Sequence, residues 1–219
     1  NLAPSTTYSV AQIVQSSATL GADPDGTADS SVVAAPGTLG ANAIVASIRV
    51  RQYNSDSVAT VTGSTVGESI TATIISGPGT LKINGAGTAA LSVTAKVGET
   101  ITVLNDGRSG STSIRLGSTS LGTSWVTKTV TFYGEMASFS AITLPTGSAI
   151  NLADGGSVKV YPKDAASVAV ASDTKHGVYL YSSDTKVVSN YGTSCTFSGV
   201  ATLGYASCAL TVVDSGTVT

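Results

Sequence analysis

The sequence predicts an all-β protein made of tandem β-sandwiches, and three observations support that fold class. Ser and Thr fill 63 of the 219 positions, and 42 % of the residues are hydrophobic, chiefly Ala, Val and Ile. Val, Ile and Thr suit the pleated, half-buried surface of a strand. Apolar and polar residues alternate over short stretches that Gly, Pro and Asn interrupt at intervals of roughly 8–12 residues, which is typical of a sandwich.

In the first half of the chain, the alternation assigns a core side and a solvent side to each predicted strand. In residues 44–51, Ile48 and Val50 would face the core and the intervening arginines would face solvent. In residues 125–133, Val126, Val130 and Phe132 would face the core and the intervening threonines would face outward. Further strands are predicted at 69–75, 91–95, 101–104 and 113–116, with turns at Gly77-Pro78-Gly79, Asn84-Gly85 and Asn105-Asp106-Gly107.

The second half repeats this style, which divides the chain into domains. Strands are predicted at 158–161, 167–171, 178–181, 186–189, 196–200 and 208–213. A boundary is predicted after the longest strand of the first half. The resulting division is an extended lead-in or docking segment at 1–40, a first sandwich at 41–133 and a second sandwich at 134–219.

The two cysteines predict one disulfide. Cys195 and Cys208 are separated by a turn-like segment, which places them on opposite strands of a hairpin. A bridge closing a loop of this size would stabilise the fold by roughly 3 kcal/mol on the chain-entropy model. Two buried thiols are the alternative. The even cysteine count and the high Ser/Thr content favour the disulfide and an extracellular location.

Short motifs in both halves resemble bacterial immunoglobulin-like domains. Residues 66–81 read VGESITATIISGPGTL and residues 105–114 read NDGRSGSTSI, which is similar to the invasin/intimin type of surface domain. Residues 181–188 (YSSDTKVV) and 197–206 (FSGVATLGYA) resemble pieces of group 2 bacterial Ig-like domains. The resemblance implies tandem Ig-like sandwiches on a microbial surface, although Tyr181 stands where the family often has Trp and the cysteine pair is not part of the family pattern.

Side chains that perform chemistry are scarce, so the sequence predicts that the protein is not an enzyme. The chain has one histidine, and 11 % of its residues are charged. His176 lies in a turn-like stretch with no nucleophile or carboxylate at a recognisable spacing. Nucleophile-elbow, zinc-protease and phosphate-loop motifs are all missing from the sequence.

A calcium site is the strongest ligand candidate in the sequence. Asp23, Asp25 and Asp29 lie close together, and carboxylates at alternate positions followed by Gly can converge on Ca²⁺. The glutamate that would complete an EF-type loop is absent. An ordinary Asp-Pro-Asp-Gly turn is the alternative reading.

Charge and hydropathy limit the partners. The net charge is −2 and the 11 basic residues are scattered, which argues against nucleic acid. No run of 18 apolar residues exists, so no membrane span is expected. The chain begins without Met and ends inside a strand-like pattern, which suggests a processed chain or a piece of a longer polypeptide.

Together these features predict a non-catalytic structural protein of a microbial cell surface. It would assemble with copies of itself as an S-layer, filament or pilus-like polymer, or form an adhesin stalk, with the lead-in contacting a neighbouring copy. Two alternatives remain open: a virion protein of a phage, and an adhesin module that binds a glycan or a host protein. The adhesin module requires an exposed aromatic cluster, and Tyr179, Tyr181 and Tyr191 are its candidates unless they belong to the core.

Overall fold

The structure is a computed structural model, and it describes residues 3–15, 29, 31–40, 42–59, 67–143, 156–173, 175–199 and 204–218. Regular structure in these residues consists of strands alone, which confirms the predicted all-β class. The chain divides into two compact units, Asn1–Phe132 and Tyr133–Thr219. Among the described residues, no helix is long and apolar enough to cross a membrane.

In the part of the chain that the structure describes, ten strands form the first unit. They are β1 (Val10–Gln15), β2 (Val32–Ala34), β3 (Ile44–Arg51), β4 (Ile70–Ser76), β5 (Thr80–Ile83), β6 (Ala86–Ala90), β7 (Ser92–Ala95), β8 (Ile101–Leu104), β9 (Gly110–Ser118) and β10 (Gly122–Phe132). One sheet has the order β1-β3-β8-β5-β6 and the other has the order β2-β10-β9-β4-β7. All neighbours are antiparallel except β2 and β10, which run parallel.

This strand order is that of an immunoglobulin-like sandwich. Seven strands in chain order, β1, β3, β4, β5, β8, β9 and β10, can be lettered A to G. One sheet then contains A-B-E-D and the other contains G-F-C, which is the constant-type arrangement. The short strands β6 and β7 are added between D and E, and β2 adds a second edge strand beside G.

The core of the first unit lies between these two sheets. As predicted, Ile48, Val130 and Phe132 are fully buried, while Thr127 and Thr129 are exposed. Phe132 is the largest fully buried side chain, and it is surrounded mainly by aliphatic residues. Apart from Phe132, the buried cluster consists of Ala, Val, Ile and Leu, so aliphatic side chains fill most of the space between the sheets.

The turn at Gly77-Pro78-Gly79 depends on glycine. Gly77 has a φ of +88°, and a Cβ built there would lie 2.2 Å from the carbonyl oxygen of Ser111. The Thr112 hydroxyl donates a hydrogen bond to the Pro78 carbonyl, and the Gly79 amide donates one to Asp106 at 2.7 Å. The turn is therefore tied both to β9 and to the Asp106 turn.

The described part of the lead-in contains two strands, and the sequence predicts a strand or two within this extended segment. β1 pairs with β3 over six residues, and β2 pairs with β10, so each supplies an edge strand to one sheet of the first unit.

The described residues of the second unit form six strands in two sheets. They are β11 (Met136–Thr143), β12 (Gly156–Asp164), β13 (Tyr179–Tyr181), β14 (Tyr191–Ser194), β15 (Thr196–Phe197) and β16 (Ala206–Leu210). The larger sheet has the order β11-β12-β16-β15, and β13 pairs with β14 as a hairpin. Val158, Val160 and Ala206 of the larger sheet share a core with Leu180 of the hairpin and with Val178, which directly precedes β13, so the two sheets pack face to face.

Several strands predicted for the second unit are shorter than expected or absent. Residues 167–171 and 186–189 contribute only the isolated bridges Lys163↔Ala169 and Val188↔Val212. At 164–168 the Asp164 carboxylate accepts hydrogen bonds from the amides of Ala166 and Val168, which fixes a tight turn. A side chain that binds its own backbone in this way competes with strand pairing.

Candidate functional site

The predicted calcium ligands are only partly within the described residues. Asp23 and Asp25 lie outside them, and Asp29 lies inside. Asp29 Oδ1 accepts a hydrogen bond from the Ile13 amide at 3.0 Å. Lys128 Nζ donates to the same carboxylate at 2.9 Å from Oδ1 and 2.7 Å from Oδ2. The carboxylate of Asp29 therefore binds a lysine and a backbone amide, and the calcium site stays a prediction.

The Asp29–Lys128 ion pair links the two sheets of the first unit. The Lys128 side chain is only 6 % exposed, and it points inward from β10 in line with Val130 and Phe132. Asp29 also holds the amide of Ile13 in β1. A buried ammonium needs a partner because leaving it unpaired is costly. Asp29 thus neutralises Lys128 and connects the edge strand of one sheet to a central strand of the other.

His176 is also part of a structural arrangement. The Asp173 carboxylate accepts hydrogen bonds from the amides of Met136, Lys175 and His176, and it lies 3.1 Å from His176 Nδ1. Burial raises the pKa of Asp173, but these hydrogen bonds outweigh it and lower the pKa to about 2. Asp173 therefore stays ionised and fixes the turn before β13.

The part of the chain that the structure describes contains no group of three His, Cys, Asp or Glu side chains close enough to hold a metal ion. In the same residues, the carboxylates of Asp164 and Asp173 accept hydrogen bonds from backbone amides, and Asp173 also pairs with His176.

The predicted disulfide is formed. Cys195 follows β14 directly, Cys208 lies in β16, and their Cα atoms are 4.2 Å apart. Because Thr196 pairs with Ser207, the two cysteines are the next opposing pair of the β15–β16 ladder. The Cys195 amide also donates to the Val178 carbonyl at 2.9 Å. The bridge therefore anchors the end of the β13–β14 hairpin to the larger sheet.

The β13–β14 hairpin carries an exposed tyrosine cluster. The exposed fractions are 56 % for Tyr179, 57 % for Tyr181 and 74 % for Tyr191. Tyr181 and Tyr191 are opposite each other in the pairing, and their rings meet edge to face with centroids 5.1 Å apart and an angle of 87°. The sequence left open whether these tyrosines were core or surface, and the structure places them on the surface.

The orientation of the cluster follows from the strand period. Tyr179 and Tyr181 flank Leu180, and successive side chains point to opposite faces of a strand. Leu180 packs against the core, so both tyrosines must point outward. The ring of Tyr179 lies over Gly177, where an added Cβ would be 2.7 Å from the ring. Gly177 thus provides the space in which the Tyr179 ring rests.

Apart from the tyrosines, the hairpin presents polar groups. Ser182 follows β13, and the exposed Ser194 of β14 pairs with Tyr179 and so lies on the same face as that tyrosine. Within β13 and β14 every exposed large hydrophobic residue is a tyrosine. The face therefore offers aromatic rings and hydroxyl groups without exposed aliphatic side chains.

A second exposed apolar feature lies on β11. This strand is at the edge of the larger sheet of the second unit, where β12 is its neighbour. Phe139 and Ile142 of β11 are 51 % and 63 % exposed. Backbone groups on the open side of an edge strand can pair with a strand of another chain.

Comparisons with known proteins were made by sequence and by structure. No protein-family model and no curated protein sequence match the chain. Among solved structures, the chain is similar to the D0-D1 domain of intimin, with 16 % identity over 94 % of this chain and 86 % of that chain and a TM-score of 0.33. At this identity and TM-score the similarity carries no argument about function, which must come from the side chains.

Proposed function

We propose that this chain is a non-catalytic, extracellular binding module of the adhesin type, and that it recognises carbohydrate through the tyrosine cluster of the β13–β14 hairpin. The observation that supports this most is the exposure of Tyr179, Tyr181 and Tyr191 on one small sheet. Large aromatic side chains that remain exposed together on a rigid surface are typical of recognition sites.

The surroundings of the cluster favour a sugar over an apolar protein surface. Tyrosine rings can stack on the C–H faces of a pyranose, and their hydroxyls can hydrogen-bond with its O–H groups. A protein partner of ordinary size would bury about 800 Å² on each side around an apolar centre. The hairpin has three and four residues in its two strands and exposes no aliphatic side chain there.

The scaffold suits such a role. The Cys195–Cys208 bridge joins the end of the hairpin to the larger sheet, which limits the motion of the rings. Rigid aromatic side chains lose little conformational entropy when they bind. A disulfide is also typical of secreted and surface proteins, which supports an extracellular location.

A glycan array tests the proposal. The intact chain should bind a subset of immobilised oligosaccharides, and the double variant Tyr181→Ala/Tyr191→Ala should lose those signals. Tyr8, which is 44 % exposed in the first unit, offers the matched control Tyr8→Ala. An array without hits, or hits that survive the double variant, would exclude the tyrosine cluster as the recognition surface.

A separate observation supports a second candidate function. The predicted self-assembly into an S-layer, filament or pilus-like polymer is supported by the open edge of β11 with Phe139 and Ile142 exposed on it. Strand addition at such an edge joins copies through backbone hydrogen bonds. Sedimentation of the purified chain at increasing concentration, with and without Ca²⁺, tests this, and a chain that stays monomeric throughout excludes it.

A further inference from the structure

The outer face of the second sheet of the first unit has one charged side chain in an otherwise neutral hydroxyl surface. Within the strands β2, β4, β7, β9 and β10, the charged residues are Arg115 and Lys128, and Lys128 points into the core. Arg115 faces outward at the centre of the sheet. It pairs with Thr73 on one side and with Thr127 on the other, and Ser92 continues the row beyond Thr73.

Arg115 differs from the other three arginines of the chain. Arg49 donates to the Thr100 hydroxyl, Arg51 lies over the Tyr53 ring, and Arg108 is paired with Asp106. Arg115 has no hydrogen bond or ion pair with any residue of the described segments. Its half-buried guanidinium therefore keeps its donors available, and five fixed N–H groups suit a carboxylate especially well.

Arg115 lies at the side of a depression in the protein surface. It has a volume of about 360 Å³ and is open to solvent. Gly117 lies two residues beyond Arg115, on the same face of β9. The turn that connects β9 to β10 folds against it, and a Cβ at Gly117 would lie 2.4 Å from the Gly122 carbonyl oxygen. The missing side chain thus brings the turn close enough to form a wall.

The walls of the depression are hydroxyl groups. The lining includes Thr71, Thr73, Thr94, Ser118 and Thr123 together with Arg115. Thr71 and Thr94 are hydrogen-bonded to each other at 3.3 Å, which fixes their side chains. A volume of this size is at the lower end of the range of small-molecule sites, which begins at about 300 Å³.

A carboxylate next to the depression is already hydrogen-bonded. Glu68 precedes Ser69, which also lines the depression, and its carboxylate accepts hydrogen bonds from the amide and the hydroxyl of Ser120. Those bonds direct its oxygens to the β9–β10 turn and lower the pKa of Glu68, so this carboxylate stays ionised. Among the described residues that line the depression, Arg115 is the one charged side chain.

From these observations we propose that the Arg115 depression binds a saccharide that carries a carboxylate. The guanidinium pairs with the carboxylate, and the threonine and serine hydroxyls exchange hydrogen bonds with the sugar hydroxyls. An acidic peptide is the alternative ligand, and a glutamate peptide is therefore included among the probes. The site lies in the first unit and does not depend on the tyrosine cluster of the second.

Matched pairs of oligosaccharides test this assignment. The probes are oligosaccharides that contain glucuronic acid or sialic acid, each measured beside its carboxyl-reduced counterpart and beside a glutamate peptide. The intact chain should bind at least one acidic saccharide at least about tenfold more tightly than its reduced counterpart, because charge-assisted hydrogen bonds to a carboxylate are worth that much. The two sugar acids distinguish which carboxylated class is preferred.

Variants assign the binding to Arg115. Arg115→Gln should weaken binding of the acidic saccharide at least about tenfold, and Arg115→Lys should restore only part of it because Lys lacks the bidentate fork. Lys186→Gln removes an exposed positive charge from the other unit and should leave binding unchanged. Trp125 fluorescence verifies that each variant is folded. Equal binding of acidic and reduced saccharides, preference for the peptide, or full binding by a folded Arg115→Gln variant would overturn the proposal.

Discussion

Lys128 Nζ lies 2.7 Å from Asp29 Oδ2, although the two residues are 99 positions apart in the sequence. The lysine side chain is 6 % exposed, whereas the aspartate is 44 % exposed. Asp29 additionally accepts the Ile13 amide of β1. A residue that the sequence offers as a calcium ligand is therefore the counter-ion of a buried lysine and a link between the two sheets of the first unit.

Removing Asp29 should destabilise the first unit. Asp29→Ala leaves the buried Lys128 ammonium without a partner, so the free energy of unfolding should fall by about 1–3 kcal/mol. Urea unfolding followed by the fluorescence of Trp125, the one tryptophan of the chain, reports this unit selectively. Lys128→Met, which removes the charge but keeps the bulk, should cost less than Asp29→Ala.

The double variant and a surface control complete this test. Asp29→Ala/Lys128→Met should be more stable than Asp29→Ala alone, because no buried charge is left unpaired. Asp56→Asn alters an exposed aspartate and should leave the stability unchanged within about 0.5 kcal/mol. Equal stability of Asp29→Ala and wild type would show that the ion pair is not structural.

Reduction of the disulfide should affect the second unit alone. Loss of the Cys195–Cys208 bridge, by reductant or by Cys195→Ser/Cys208→Ser, should lower the stability of that unit by roughly 3 kcal/mol. Six of the eight tyrosines belong to this unit, so near-ultraviolet circular dichroism of tyrosine reports its unfolding. The unfolding transition of the first unit, followed by the fluorescence of Trp125, should not change. An equal loss of stability in the first unit would contradict this prediction.

Asp173 should make the second unit acid-sensitive. The pKa of Asp173 is lowered from its ordinary value of 3.8 to about 2, so the folded state favours the ionised form. The stabilisation is fully present above about pH 4, is lost as the pH falls toward 2, and amounts to about 2 kcal/mol. Asp173→Asn should lose that amount at neutral pH, and its stability should converge with that of the wild type as the pH falls. Parallel pH curves would contradict this role.

The edge of β11 predicts how any self-association would respond to charge. Ile142→Lys places a cation on an exposed edge strand, which is a common way to prevent strand addition. If copies associate through this edge, the variant should be monomeric by sedimentation velocity at concentrations where the wild type is not. Val58→Lys, at a residue that is 58 % exposed in the first unit, is the control and should associate like the wild type.

The sequence predicts the sandwich of the first unit well because its long strands have a regular two-residue period. Val130 and Phe132 point inward and Thr129 points outward as the alternation requires. The disulfide was predicted for a similar reason, since its residues flank one hairpin. In the second unit the prediction fails at 167–171, where Asp164 binds nearby backbone amides and replaces strand pairing with a turn.

The sites were harder to predict because they depend on distant residues. Asp29 forms an ion pair with Lys128, and nothing in the sequence indicates that these two residues meet. The exposure of Tyr179 and Tyr181 could have been inferred from Leu180. Successive side chains of a strand point to opposite faces, so a leucine that packs on the core places both of its neighbours on the outer face. The Arg115 depression requires the pairing of β4, β9 and β7 to be known before its threonines come together.

The measurement that tests the central claim most directly is a nuclear magnetic resonance titration of the intact chain, labelled at its tyrosine rings, with an oligosaccharide selected on the glycan array. We expect the ring resonances of Tyr179, Tyr181 and Tyr191 to shift in a saturable manner, and those of Tyr8 and Tyr53 in the first unit to stay unchanged. Shifts confined to other tyrosines, or none at saturating sugar, would contradict the proposal that the β13–β14 hairpin is the carbohydrate-binding surface.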